Sequence, residues 1–282
     1  MKVSENNFKA YENFALITGA ASGMGRVYAR ELALMGYKIV IIDINEENLL
    51  KTADEIRTMI SSLDDWRAAS KEKFEVLPIV QDLSQMDAAQ IIYNQTQEHG
   101  CKVEVLVNNA GLLLANGICE TPEIKLSLIM MVHNYTPLML CRKFIPQMRE
   151  RGCGYVLNIS SLAAWMSWPV IGMYGNTKRF VKDFSRELRI ECKGTGVSVT
   201  NAYFGAVDTP LVPLKQSLRK LAHNLGFMIW PEQAVDSALK ATFKRKRGTM
   251  PGFLNHIFKP LVIIAPDWLL VWAYKKCKPY LK

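Results

Sequence analysis

The sequence predicts an α/β fold: a single doubly wound parallel sheet of about seven strands, with helices on both faces. Three observations predict it. Strand-like runs are continuous apolar blocks rather than alternating ones. Helical patterns separate them. No internal repeat or low-complexity linker divides the chain. The 282 residues suffice for one such domain with modest additions, and 49% apolar residues exclude a disordered chain.

The elements follow in order. "FALITGA" reads as a strand ending in glycine, and "GRVYARELALMGY" as the helix after it. "KIVIIDI" is a second strand, residues 46–72 a helix, "FEVLPIV" a third strand and residues 84–99 a helix. "VEVLVNNAG" is a fourth strand with a sharp glycine exit, followed by a long helix over 123–150. "GYVLNISS" is a fifth strand, Tyr174 to Cys192 a helix, and "GVSVTNAYFG" a sixth strand. Residues 232–243 read as helix, and a short seventh strand is expected near "TMPGF". The domain is expected to span 1–252, with a substrate lid over 206–230 and an apolar extension over 253–282.

That extension, "FLNHIFKPLVIIAPDWLLVWAYKK", is broken by Lys259, Pro260, Pro266 and Asp267. It lacks the run of about 20 apolar residues that a spanning helix needs. The simpler reading is packing on the sheet domain or on a subunit. The sharper one is an interfacial anchor, with Trp268 and Trp272 at headgroup depth.

The net charge is +9, with one basic run, "KRKR" at Lys244 to Arg247. Without interleaved aromatics it reads as a solvated helix end, so no nucleic-acid partner is expected. Six cysteines form neither a CxxC pair nor a metal spacing, so no metal site is expected. They read as reduced thiols, and no apolar signal core precedes the first strand. The expected location is cytoplasmic, with peripheral membrane contact through the tail as the alternative.

The chemistry gathers at strand ends. "TGAASGMG" follows the first strand and opens a helix. Its Gly19, Gly23 and Gly25 permit a tight turn, and the helix N-terminus offers amides and positive dipole to a pyrophosphate. Asp43 ends the second strand, 18 residues after Gly25, where a carboxylate can accept from a ribose diol and repel a 2′-phosphate. Ser22 is neutral and no arginine follows Asp43 directly. These residues favour NAD(H) over NADP(H). Asp82 after the third strand and "NNAG" (Asn108 to Gly111) after the fourth suit the adenosine side, although each has an ordinary capping explanation. Tyr174 and Lys178 share a helix face, and Ser161 lies 13 residues before Tyr174 at a strand's carboxyl end.

Taken in order, "TGAASGMG", Asp43, Asp82, "NNAG", Asn134, Ser161, "YGNTK" and "GAVDTP" resemble the classical short-chain dehydrogenase/reductase family over about residues 12–245. The resemblance implies a Rossmann-type sheet and a homodimer or homotetramer paired through the 123–150 and 174–193 helices. It implies a catalytic tetrad of Asn134, Ser161, Tyr174 and Lys178. Tyr174 would be the acid or base, its phenol made more acidic by Lys178 and an oxidised nicotinamide. Ser161 would orient the substrate oxygen, Lys178 would also hold the nicotinamide ribose, and Asn134 would anchor a water. The implied cofactor contacts are Gly19, Ser22, Gly23, Met24 and Gly25, then Asp43, Ile44, Asp82 and Leu83. Asn109, Ala110, Gly111, Tyr174, Lys178, Gly205, Val207 and Thr209 complete them. His133, beside Asn134, reads as a spare polar core residue. One departure is Phe204-Gly205 where the family has Pro-Gly, which puts the substrate-side geometry in question.

The segments expected to border the pocket are apolar: Leu112 to Leu114, the Trp165–Trp168 stretch and residues 210–229. Substrate contacts are expected at Leu113, Ser161, Trp165, Trp168, Tyr174 and Phe204. A bulky hydrophobic alcohol or ketone fits, and the resemblance extends to the hydroxysteroid dehydrogenase branch. Two alternatives stay open. One is a 3-oxoacyl thioester reductase, which would want a basic docking surface near the pocket mouth. The other is a non-catalytic dinucleotide sensor or scaffold.

Overall fold

The computed structural model describes residues 8–212 and 216–277. Seven strands form one all-parallel sheet: β1 (Phe14–Thr18), β2 (Lys38–Asp43), β3 (Val76–Val80), β4 (Val103–Asn108), β5 (Gly154–Ser161), β6 (Val197–Phe204) and, after two short strands outside it, β9 (Gly248–Thr249). Their order is β3-β2-β1-β4-β5-β6-β9. The chain reverses direction across the sheet between β1 and β4, and ligands bind at the carboxyl ends beside such a switch. β3 is an edge strand and so tolerates Pro78. The two short strands, β7 (Ala206–Val207) and β8 (Met228–Ile229), pair with each other at the lid.

Continuous strand burial reflects cover on both faces. On one face α1 (Gly23–Leu34), α2 (Glu46–Ser61) and α8 (Pro231–Phe243) pack Tyr28, Leu32, Leu49 and Leu239 against Ile17, Ile41 and Leu157. On the other, α3 (Ala88–Glu98), α5 (Thr136–Glu150) and α6 (Gly172–Glu191) pack Ile92, Leu140 and Phe144, with Leu188 partly buried, against Leu16, Leu106 and Val156. Each fully buried aliphatic contributes about 1.5–3 kcal/mol relative to exposure.

Three helix expectations shift. The expected 46–72 helix ends at Ser61, and a 3₁₀ segment, Trp66–Lys73, starts anew where the Asp65 carboxylate accepts the Arg67 amide. The 84–99 helix begins at Ala88, because the Asp82 carboxylate turns the chain by accepting the Ser84 amide. The 123–150 helix is α4 (Glu123–Met130) joined to α5 by a π-helical turn, Met131–Tyr135. By length and composition the helix Glu123–Glu150 could cross a membrane. Its buried face, including Ile129, Val132 and Phe144, makes it a core helix here.

The 206–230 lid holds α7 (Gln216–Asn224), tied down at Asp208, whose carboxylate accepts from Arg219 and from His223 Nε2 at 2.9 Å. The apolar tail forms α9 (Phe253–Ile264) and α10 (Asp267–Cys277), bent by 110°. α9 packs beside the segment after β5, and Phe258 meets Phe227 of the lid at 5.5 Å.

Candidate active site

The turn between β1 and α1 is shaped by lack of side chains. Gly19 has φ +68°, and a Cβ there would sit 2.8 Å from Ala110 Cα. A Cβ on Gly25 would sit 1.9 Å from the Gly19 carbonyl oxygen. This turn is laced to the end of β4. Thr18 Oγ1 accepts from the Asn109 and Ala110 amides, both at 3.0 Å, and Asn109 Nδ2 donates to the Thr18 carbonyl at 2.9 Å. At the end of β2, Asp43 accepts from the Ala21 amide at 3.0 Å and the Asn45 amide at 3.0 Å. Two fixed donors hold this carboxylate beside the turn. A turn that side chains would fill, the free amides of α1 and a fixed acid together fit a nicotinamide dinucleotide.

The reacting end is built where β5 meets α6. Helical spacing places Tyr174 and Lys178 on one face. Lys178 Nζ lies 5.7 Å from the Tyr174 ring centroid and donates to the Ile159 carbonyl at 3.0 Å. Ser160 Oγ donates to the Lys178 carbonyl at 2.9 Å. Ser161 Oγ donates to the Phe204 carbonyl at 3.2 Å and accepts from the Ala163 amide at 3.1 Å. The two neighbouring serines therefore divide the work: one pins the helix, and the other faces the phenol.

Both ends open into one cavity of about 500 Å³. It brings together Gly19, Ser22, Gly23, Met24, Asp43, Asn109, Ala110 and Gly111 with Leu113, Ser161, Tyr174, Lys178, Phe204, Gly205, Val207 and Thr209. The Phe204 side chain belongs to the core and is only 3% exposed. A Cβ on Gly205 would sit 2.3 Å from Asn255 Oδ1 of α9, so that amide would have to turn aside.

Other expected residues lie elsewhere. Gly25 does not line the cavity and is packed against the Gly19 carbonyl. Ile44 is 65% exposed beyond Asp43, and Leu83 is buried, its carbonyl accepting from Thr136 Oγ1. The Asp82 carboxylate is turned to the Ser84 amide. Asn134 is buried behind α6, donating through Nδ2 to the Thr177 carbonyl at 3.0 Å; its Oδ1 has no hydrogen-bond partner among the described residues. Trp165 and Trp168 do not line the cavity. Trp165 instead packs on Tyr203 at 4.6 Å and carries the Lys259 ammonium 4.2 Å above its ring. Met166 lines the cavity, as do Leu162 and Ile171, whose place depends on the 3₁₀ turns after β5 and left no periodic signal in the sequence.

Burial dominates the electrostatics. It raises the Tyr174 phenol above its usual value, opposed only by the Ser161 hydroxyl beside it. It lowers Lys178 from 10.5 to about 8. The expected acidification of the phenol by the amine is therefore absent in the protein alone, because both groups lose solvation of their charged forms.

Fold and site together define a dinucleotide-dependent oxidoreductase. The short chain dehydrogenase family model matches residues 13–219, and the chain belongs to that family of enzymes acting on CH–OH groups with a nicotinamide dinucleotide. It is 32% identical to a very-long-chain 3-oxoacyl-CoA reductase of Rattus norvegicus over 267 residues, 91% of this chain and 76% of that protein. It is also 32% identical to a 17-beta-hydroxysteroid dehydrogenase type 3 of Danio rerio over 272 residues, covering 93% and 80%. Among solved structures, a 7beta-hydroxysteroid dehydrogenase superposes with TM-score 0.79 at 24% identity, covering 94% of this chain and 97% of that one, a likeness of fold.

Lys178 yields a stability prediction. Its folded pKa is depressed, so below about 8 the fold carries a poorly solvated ammonium. Between 8 and 10.5 the unfolded chain binds more protons, and stability rises with pH there. Lys178→Met is expected to be more stable than the parent at pH 7 by on the order of 2 kcal/mol. Denaturant unfolding across pH should show that advantage shrinking between pH 8 and 10.5.

Proposed function

We propose that the chain interconverts a secondary alcohol and a ketone on a bulky hydrophobic substrate, a hydroxysteroid, using NAD(H) in preference to NADP(H). One observation carries the reading. The cavity that contains Tyr174, Ser161 and the glycine turn continues into a wall of Leu113, Met166, Ile171, Leu211 and Val212. Apolar walls around a few fixed polar groups suit a rigid apolar substrate held by one oxygen. The name of the zebrafish relative agrees with this.

When bound, an oxidised nicotinamide supplies a hydride acceptor and a positive charge. Tyr174 takes the hydroxyl proton in oxidation and returns it in reduction. Ser161 holds the substrate oxygen in place beside the phenol. Lys178 holds the nicotinamide ribose and, when protonated, favours tyrosinate. Asn134 fixes α6 through Thr177, and its free Oδ1 is the acceptor for a water leading from Lys178 toward solvent. Asp43, already oriented by two amides, receives the adenosine ribose diol and rejects a 2′-phosphate.

The rat relative supports a second reading, a 3-oxoacyl thioester reductase. Against it, the Lys244–Arg247 run does not offer a basic surface at the pocket mouth. It runs beside the amino end of β6, where Arg245 donates to the Gly196 carbonyl, while the site lies at the carboxyl end near Phe204.

We further infer contact with a lipid surface and self-association. Along α9 and α10, Phe253, Ile264, Trp268 and Trp272 are exposed, and Lys275 and Lys276 follow them. This pattern suits an anionic interface. Exposed Ile124, Met130, Phe180 and Ile190 on α4 and α6 suit pairing of two copies, which light scattering would detect.

Three outcomes are expected. In a spectrophotometric screen of steroid alcohols, bile acids and 3-oxoacyl-CoA thioesters with both cofactors, a steroid alcohol with NAD⁺ turns over best, and Tyr174→Phe lowers kcat by about 10²–10⁴-fold. Turnover of thioesters alone would replace the steroid reading. Asp43→Ala lowers kcat/KM for NAD⁺ by roughly 10–100-fold and narrows the gap to NADP⁺. Sedimentation with phosphatidylserine-containing vesicles pulls down the full chain, and the double variant Trp268→Ala, Trp272→Ala binds markedly less.

A further inference from the structure

His133 sits in the π-helical turn between α4 and α5, 2% exposed and behind the cavity wall. A π-helical turn inserts an extra residue into the helix and re-aims the side chains around it. Here the imidazole bridges two parts of the site that the backbone does not otherwise join. Its Nε2 accepts the Leu112 amide at 2.9 Å. Its Nδ1 lies 2.8 Å from Thr177 Oγ1, and Thr177 Oγ1 donates to the Tyr174 carbonyl at 2.8 Å. The ring also stands edge-on to the Tyr174 ring, centroids 5.7 Å apart and planes at 75°.

The direction of these bonds assigns the protonation state. An amide can only donate, so Nε2 carries no proton. The Thr177 hydroxyl spends its proton on Tyr174, so Nδ1 must donate to it. A single neutral tautomer satisfies the whole series, from the Leu112 amide through His133 and Thr177 to the Tyr174 carbonyl. Protonation at Nε2 would set two donors against each other. Lys178 is the cation facing this pocket, and its charge and the burial both act against an imidazolium. The space is reserved as well: a Cβ on Gly111 would come 3.0 Å from His133 Nε2.

We propose that His133 is a positioning residue, a neutral imidazole that locks the backbone of Tyr174 to the loop carrying Gly111 and Leu113. This rests on Tyr174 being the acid or base. The loop lines both the cofactor and substrate sides of the cavity, and Tyr174 must meet an oxygen held between them. The bridge sets that separation without touching the reacting atoms. A mere core histidine would need its polar atoms satisfied, but it would have no reason to join these two particular backbones.

The test has a spectroscopic arm and a kinetic arm. In ¹⁵N-histidine-labelled protein, His133, one of four histidines, is assigned by its loss in His133→Phe. Its nitrogens should report a neutral ring with the proton on Nδ1 from pH 8 down to pH 5. Titration near pH 6.5, or the proton on Nε2, overturns the proposal. Kinetics use the steroid or thioester whose turnover Tyr174→Phe abolishes. If no panel member behaves so, the acid–base reading itself has failed, while the spectroscopic arm still reports on the bridge. His133→Phe keeps the ring packing and deletes both bonds. It should lower kcat about 10–100-fold, the scale of misplacing a catalytic group, with KM and NADH affinity by fluorescence within twofold. His133→Gln, which supplies one acceptor and one donor, should recover part of the loss. Thr177→Val should lower kcat similarly, and the double variant no further, as expected for residues in one series. An unchanged kcat in His133→Phe, or additive losses in the double variant, reduces His133 to packing and sinks the proposal.

Discussion

Everything at the reacting end depends on a buried ammonium held by one strand. Lys178 donates to the Ile159 carbonyl, and Ser160 returns a hydrogen bond to the Lys178 carbonyl. The two bonds run in opposite directions between β5 and α6, and they fix the helix in register and rotation on the sheet edge. Once that junction is set, helical geometry carries Tyr174 toward the cavity beside Ser161, and the His133–Thr177 bridge joins its backbone to the Leu112 loop. The cost is that a charge sits where water cannot reach it, a cost ordinary in sites built for catalysis.

The same burial reverses a simple electrostatic expectation. An amine near a phenol acidifies it when the amine is charged and the phenol is solvated. Here neither group keeps its hydration, the lysine falls to about 8, and the phenol rises. The phenol stays neutral, while the lysine, protonated below about 8, is a charge stripped of its water. Positive charge brought next to the phenol would shift that balance toward its ionised form.

Much of this was legible in the sequence, because the informative contacts are local. The glycine turn, Asp43 and the Tyr174–Lys178 spacing are short-range patterns whose geometry follows from the strand and helix that carry them, and the structure gathers them in one cavity. What escaped is set by distant neighbours. Trp165 lies near Ser161 in the chain, yet Tyr203 and Lys259 draw it away from the cavity. Phe204 stands where the resemblance leads one to expect proline, and the sheet's core takes its ring. The π-helical turn left no composition signal, so His133 read as a spare polar residue until its partners on two other segments were in view. The break between Ser61 and Trp66 turns on one side-chain cap, which competes with helix propensity too evenly to be decided from composition.

The contact between Gly205 and Asn255 reaches beyond stability. No atom can be added at position 205 without displacing the amide on α9, so the loop beside Thr209 and the first turn of the tail helix have a shared shape rather than two independent ones. A side chain added at 205 is eased by a shorter residue at 255. Exchanging this tail for that of a relative therefore also changes what packs against the loop at Gly205.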